Sequence, residues 1–144
     1  GLVCLVRIYG AFIEARLPSG EYLVEAMRSE MAAWGIPVLL VMMVIPLVSG
    51  LATGIAVGFV GASFPIVISL AGNDPALADL LGVTALAYGV GHMGMMLSPV
   101  HVCHIVTNEH FKTRLHASTR GLIAPAVTMV AAALLIYAAV HVLF

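Results

Sequence analysis

The chain has 144 residues, of which 62% are apolar and 9% charged, with a formal net charge of -1. Six basic and seven acidic residues cannot clothe a water-facing surface, because a soluble domain carries about a quarter charged residues. That inventory excludes a soluble enzyme, a disordered tail and a disulfide-stapled secreted module, makes the lipid bilayer the main partner, and leaves nucleic-acid binding without a cationic surface.

Residues 1–17 are apolar but for Arg7, Glu14 and Arg16 and lack a basic region followed by a small-residue cleavage site. They read as the exit end of a transmembrane helix whose beginning is missing, so the chain is expected to be the C-terminal part of a larger membrane protein. Residues 20–33 mix Glu21, Glu25, Arg28 and Glu30 with Leu23, Val24 and Met27, which predicts an amphipathic helix at the membrane interface. Trp34 follows where an interfacial anchor belongs.

From residue 31 to 73 there are 43 consecutive positions without Asp, Glu, Lys, Arg or His. As one helix this would measure about 64 Å against a hydrocarbon core of about 30 Å, so the run must break or fold back. The small, permissive string Ser49-Gly50-Leu51-Ala52-Thr53-Gly54 supplies a stop between two apolar arms. A re-entrant hairpin over 36–70 fits those arm lengths; one kinked crossing with Gly50, Gly54 and Gly58 as a packing face is the alternative.

Residues 77–111 form a second over-long stretch, interrupted by Ser98-Pro99. Proline removes a backbone donor and disfavours helical geometry in the residue before it. Irregular backbone at membrane depth survives only when buried in protein or lining a watery cavity. The reading is a broken transmembrane helix; a plain proline kink is the competing one. Residues 121–144 form a comfortable final span. Lys112, Arg114, His116 and Arg120 place loop 112–120 in the cytoplasm by the positive-inside rule, which puts the C-terminus on the extracytoplasmic side of the cell (inner) membrane. Cys4 and Cys103 sit far apart in apolar stretches and are expected to be free, buried thiols.

The string from Ser49 through Gly58, Gly61 and Ser63 to Pro65, followed by Gly94-Met95-Met96-Leu97-Ser98-Pro99-Val100-His101-Val102-Cys103 and Thr107-Asn108-Glu109-His110-Phe111, resembles an integral-membrane family, the domain of unknown function 401 family. That family looks like a member of the ion transporter superfamily of divalent-anion/sodium symporters and gluconate, citrate and arsenite permeases. The resemblance implies two inverted repeats, each with a re-entrant hairpin and a broken helix whose tips meet at the substrate site. This chain would be the C-terminal repeat, with its hairpin tip at residues 49–54 and its helix break at 97–101. The missing N-terminal repeat of the same protein would supply the other half of the site. His92 and His104 stand where aliphatic or small residues belong, so no family role passes to them.

The expected fold is thus an all-α polytopic membrane protein. The expected function is secondary-active transport of a small organic or inorganic anion, coupled to sodium or protons, with no other cofactor, no bound metal and no enzymatic chemistry. Ser49, Gly50, Thr53, Gly54, Ser98, Pro99 and His101 are the candidate substrate- or ion-binding positions. Hydroxyls and freed carbonyls suit sodium, and open helix N-termini suit an anion. Each hydroxyl has a bland alternative, a bond back to its own helix. Histidine changes charge near neutral pH, so His101 is also a candidate proton relay. His92, His101 and His104 invite a metal reading that lacks a defined third ligand. Gly89-Val90-Gly91-His92-Met93-Gly94 matches the dinucleotide glycine pattern by letters only, within an apolar helix. A non-transporting scaffold subunit is the alternative function, and homodimerisation stays open.

Overall fold

The computed structural model describes residues 15–18, 20–72 and 74–143, together with Cys4, Ile8 and Ala11. Most of the expected first helical segment over 1–17, Asn73 and Phe144 lie outside the described residues. Among the described residues six helices follow in order: α1 Leu23–Ala33, α2 Val38–Thr53, α3 Ala56–Ala71, α4 Leu77–Leu97, α5 Val102–His110 and α6 Leu115–Leu143. The described residues are helical, with no strand beyond an isolated bridge between Arg16 and Tyr22.

The amphipathic segment folds as α1, with Glu25 in its first turn, where a carboxylate is favoured by the helix dipole, and Val24 buried beneath it. It ends at Trp34 and Gly35, the latter at φ +69°, and the chain turns by 114° into α2. Trp34 is 82% exposed on that corner. An apolar helix meeting an amphipathic one at a wide angle is the geometry expected when one element lies along an interface and the other enters it.

The run over 36–70 is two helices, not one. α2 and α3 have 16 residues each, or about 24 Å, short of a hydrocarbon core of about 30 Å. Met42 from the start of α2 and Val67 and Leu70 from the end of α3 share one core cluster, with Val38, Val41 and Ala71 packed against it. The chain therefore doubles back. Val24 of α1 and Val83 and Ala87 of α4 complete that cluster, so α1, the entry to α2, the exit from α3 and the start of α4 lie at one end of the fold.

α4 is the central helix, with α2 on one side and α6 on another. Its contact with α2 is backbone on backbone. A side-chain carbon on Gly50 would overlap the Gly91 carbonyl oxygen and come within 2.7 Å of the Met95 amide nitrogen, and one on Gly94 would overlap the Leu47 carbonyl. Glycine lets two helices approach this closely because nothing projects between them.

α6 runs antiparallel to α4. Asp79 pairs with His141 at 3.0 Å, Leu86 and Val90 pack on Ala133, and at the far end His104 of α5 meets Ser118. Much of α6 is uncovered, with Leu135 71% and Val127 63% exposed. Among the described residues two stretches are long and apolar enough to cross a membrane, the interrupted Leu77–His110 and Leu115–Leu143, or three if the bent pair of α1 and α2 counts as one.

Two sequence expectations need correction. The last helix begins at Leu115 rather than 121, so His116 and Arg120 are helical and the connection shrinks to residues 111–114. Charge alone had set the earlier boundary, and an α-helix continues past the apolar zone when nothing stops it. Cys4 and Cys103 are free, but both are exposed rather than buried; Cys103 stands on α5, where Asn108 is the buried residue.

Candidate functional site

The two interruptions are built by different residues and meet. α2 ends because Gly54 takes a left-handed conformation, φ +64° and ψ 9°, and its amide donates to the Gly50 carbonyl. A side chain there would be strained and would press to 3.0 Å on the backbone of Val100 and His101. Ile55 is extended, and α3 starts at Ala56. α4 ends at Ser98, held extended as proline requires of the residue before it. A turn over Pro99 and Val100, closed by the His101 amide on the Ser98 carbonyl at 3.2 Å, leads into α5.

Side chains then tie the tip to the break. The Ser98 hydroxyl, 1% exposed, donates to the Leu51 carbonyl at 2.7 Å and accepts from the Val100 amide at 3.3 Å. His101 Nδ1 lies 2.7 Å from the Gly54 carbonyl. A carbonyl only accepts, so Nδ1 carries the proton, and in the neutral ring Nε2 is bare. Of the predicted positions, Gly50, Gly54, Ser98 and His101 form this junction, while Pro99 is exposed beside it.

Thr53 is turned inward. Its hydroxyl donates to the Ser49 carbonyl one turn back at 2.8 Å, with the Ile55 carbonyl farther off at 3.3 Å. The Ser63 hydroxyl, fully buried, likewise donates to Phe59 at 2.6 Å. For these two the local bond uses the hydroxyl proton and leaves only oxygen lone pairs for a ligand. What the junction offers chemically is mostly backbone: carbonyls at the ends of α2 and α4, amides at the starts of α3 and α5. Neither N-cap, Ile55 or His101, makes a side-chain capping bond, and the first-turn residues Val57 and Val102 are 68% and 60% exposed.

A second polar centre escaped the sequence reading. Asn108, 6% exposed, donates from Nδ2 to the His104 carbonyl at 2.7 Å, and its Oδ1 accepts from Thr113 at 2.6 Å and Ser118 at 2.7 Å. His104 Nε2 lies 2.9 Å from the Ser118 hydroxyl. This knot fastens α5, the 111–114 turn and α6 together. Asn108 stands in one of the strings that carried the family resemblance, yet its partners come from three elements, which no spacing rule connects. A cleft of about 430 Å³ runs from the knot to His101, lined also by Met96, Thr107 and Leu122. His92 lies outside both centres, stacked on Tyr88 with ring centroids 5.9 Å apart. Among the described residues no three His, Cys, Asp or Glu side chains converge on a metal-sized site.

The sequence pattern of the family described as a protein of unknown function (DUF401) matches residues 2–140. The chain belongs to this family. No curated protein and no solved structure matches it.

Proposed function

We propose that this DUF401 chain is one repeat of a secondary-active transporter that carries a small anion across the inner membrane, coupled to sodium or protons. The observation that carries this reading is the contact between two helix interruptions, Leu51–Gly54 carbonyls on one side and Ser98 and His101 on the other. Two broken elements that meet inside an apolar fold place four helix ends together, and such ends hold ions and anions without a charged side chain. The arms of α2 and α3, each too short to cross, support a re-entrant hairpin whose tip stops within the bilayer. The uncovered first turns of α3 and α5 support an inverted N-terminal repeat of the same protein as the other half of the site.

In this reading alternating access moves the hairpin and α4 together against the remaining helices, with residues 112–120 cytoplasmic and the C-terminus outside. The test is flux of a panel of organic and inorganic anions into proteoliposomes of the full-length protein, with and without a sodium or proton gradient. Gradient-driven uptake of at least one anion, cut at least tenfold by Ser98→Ala in protein that remains folded, is expected. Absence of gradient-driven uptake for the whole panel, or uptake indifferent to Ser98→Ala, would overturn it and leave a scaffold role for the junction.

A further inference from the structure

The turn between α5 and α6 carries a residue that its backbone does not favour. α5 ends in a closed cap, with the Thr113 amide donating to the Asn108 carbonyl at 2.9 Å and the Lys112 amide to the Glu109 carbonyl at 3.3 Å. This pair of bonds calls for a left-handed residue at position 112, where glycine is the usual choice. Lys112 takes it at φ +51°, the one left-handed residue other than glycine among the described residues. A Cβ is unfavourable in that conformation, so lysine stands here against local preference. What it adds over glycine is a cation on a flexible stem.

Three more basic residues follow. Lys112, Arg114, His116 and Arg120 are all exposed, and among the described residues none of their side chains has an ion-pair or hydrogen-bond partner. Over residues 80–144 Glu109 is the only acid, and no ion pair joins it to Lys112. The bonds from Thr113 and Ser118 to Asn108 fix this turn to both helices, so the cations are displayed on a held backbone. We infer that the α5–α6 turn and the first turns of α6 form a binding surface for anionic phospholipid headgroups of the phosphatidylglycerol type, with Lys112, Arg114 and Arg120 supplying the cations.

Depth and the apolar surroundings select a lipid over a free anion. Arg120 lies five residues beyond Leu115, about 8 Å along the helix, and is the last Lys or Arg before the apolar run that starts at Gly121. A headgroup layer is about 5–8 Å deep, so Arg114 and Arg120 bracket it. His116, Arg120, Ile123 and Val127 follow at spacings of four, three and four, which puts them on one face of α6, and Ile123 and Val127 are exposed. Phe111, 68% exposed, adjoins Lys112. A free phosphate would use the cations alone, whereas a phospholipid also lays its acyl chains along the apolar track that continues from them. A depression of about 440 Å³ lined by Glu109, Lys112, Thr113 and Leu115 gives one headgroup a seat, where Glu109 can accept from glycerol hydroxyls. Each cation beside an anionic membrane surface adds to the attraction. The inference rests on this end of α6 standing at a membrane surface and is independent of the anion-transport reading.

The experiment is thermal unfolding of the full-length protein in a neutral detergent with added phosphatidylglycerol, phosphatidylcholine of the same acyl chains, or inorganic phosphate. Phosphatidylglycerol should raise the unfolding temperature by about 2–4 °C, and the other two should leave it unchanged. Lys112→Gly suits the left-handed position, so it should melt higher than the wild type without lipid and yet gain less from phosphatidylglycerol. Combined with Arg114→Gln and Arg120→Gln, it should lose most of the shift. An equal shift with phosphatidylcholine or with phosphate, or a phosphatidylglycerol shift that survives in the triple variant, would overturn the inference. Because the glycine variant keeps the fold, a lost shift reads lost lipid contact, and anion flux plays no part in the readout.

Discussion

The Ser98 hydroxyl donates to the carbonyl of Leu51, 47 residues earlier, across 2.7 Å. One proline-driven break in α4 thereby satisfies an orphan carbonyl at the end of α2, and each interruption supplies what the other lacks.

Ser98→Ala removes that donor and leaves a carbonyl unpaired beside a methyl group. The expected cost is about 1–3 kcal/mol, the penalty of a lost buried partner. Thermal unfolding of the purified protein in detergent checks it, and Ser98→Thr, which keeps a hydroxyl, should recover part of the loss.

Gly94→Ala drives a methyl group into the Leu47 carbonyl. Overpacking of this kind costs about 1–3 kcal/mol, and more where the obstacle is backbone. Gly121→Ala is the matched control: a side chain there meets nothing within 4 Å, so replacing glycine within a helix should stabilise by about 0.5–1 kcal/mol. Parallel melting curves read the opposite signs directly.

Asn108→Ala deprives Thr113 and Ser118 of their shared acceptor and the His104 carbonyl of its donor. A loss of about 1–3 kcal/mol is expected. In a double-mutant cycle with Ser118→Ala the two changes should be non-additive by about 0.5–3 kcal/mol, because they break one network.

Orientation is open to chemical labelling. In a cysteine-free background, Lys112→Cys should be protected from a membrane-impermeant thiol reagent in intact cells and labelled once the membrane is opened, whereas Leu143→Cys should be labelled in both. The reverse pattern would invert the assignment drawn from Lys112, Arg114 and Arg120.

The places where helices stop were legible because stopping is local chemistry. Gly54 after a run of small residues, and Ser98 before proline, act through their own φ and ψ, and α2 and α4 end within a residue of both. That the 36–70 run folds back was inferred from length against bilayer thickness, and Met42 beside Val67 gives it geometry. What the hydroxyls do was not legible. Thr53 and Ser98 look equivalent as letters, yet one bonds its own helix and the other reaches across to α2. The Asn108 knot stayed hidden for the same reason, since a polar residue shows its partners only after the chain has brought them to it. Residues 115–120 were misassigned because charge reports where lipid ends, not where a helix ends.

The interlocked glycines of α2 and α4 also bear on how the protein is made. α2 and α3 leave the ribosome before α4, and the α2 backbone at Leu47 and Gly50 finds its closest partner surface on Gly91, Gly94 and Met95. Close packing of α2 therefore waits for α4, so the later element seats the earlier one.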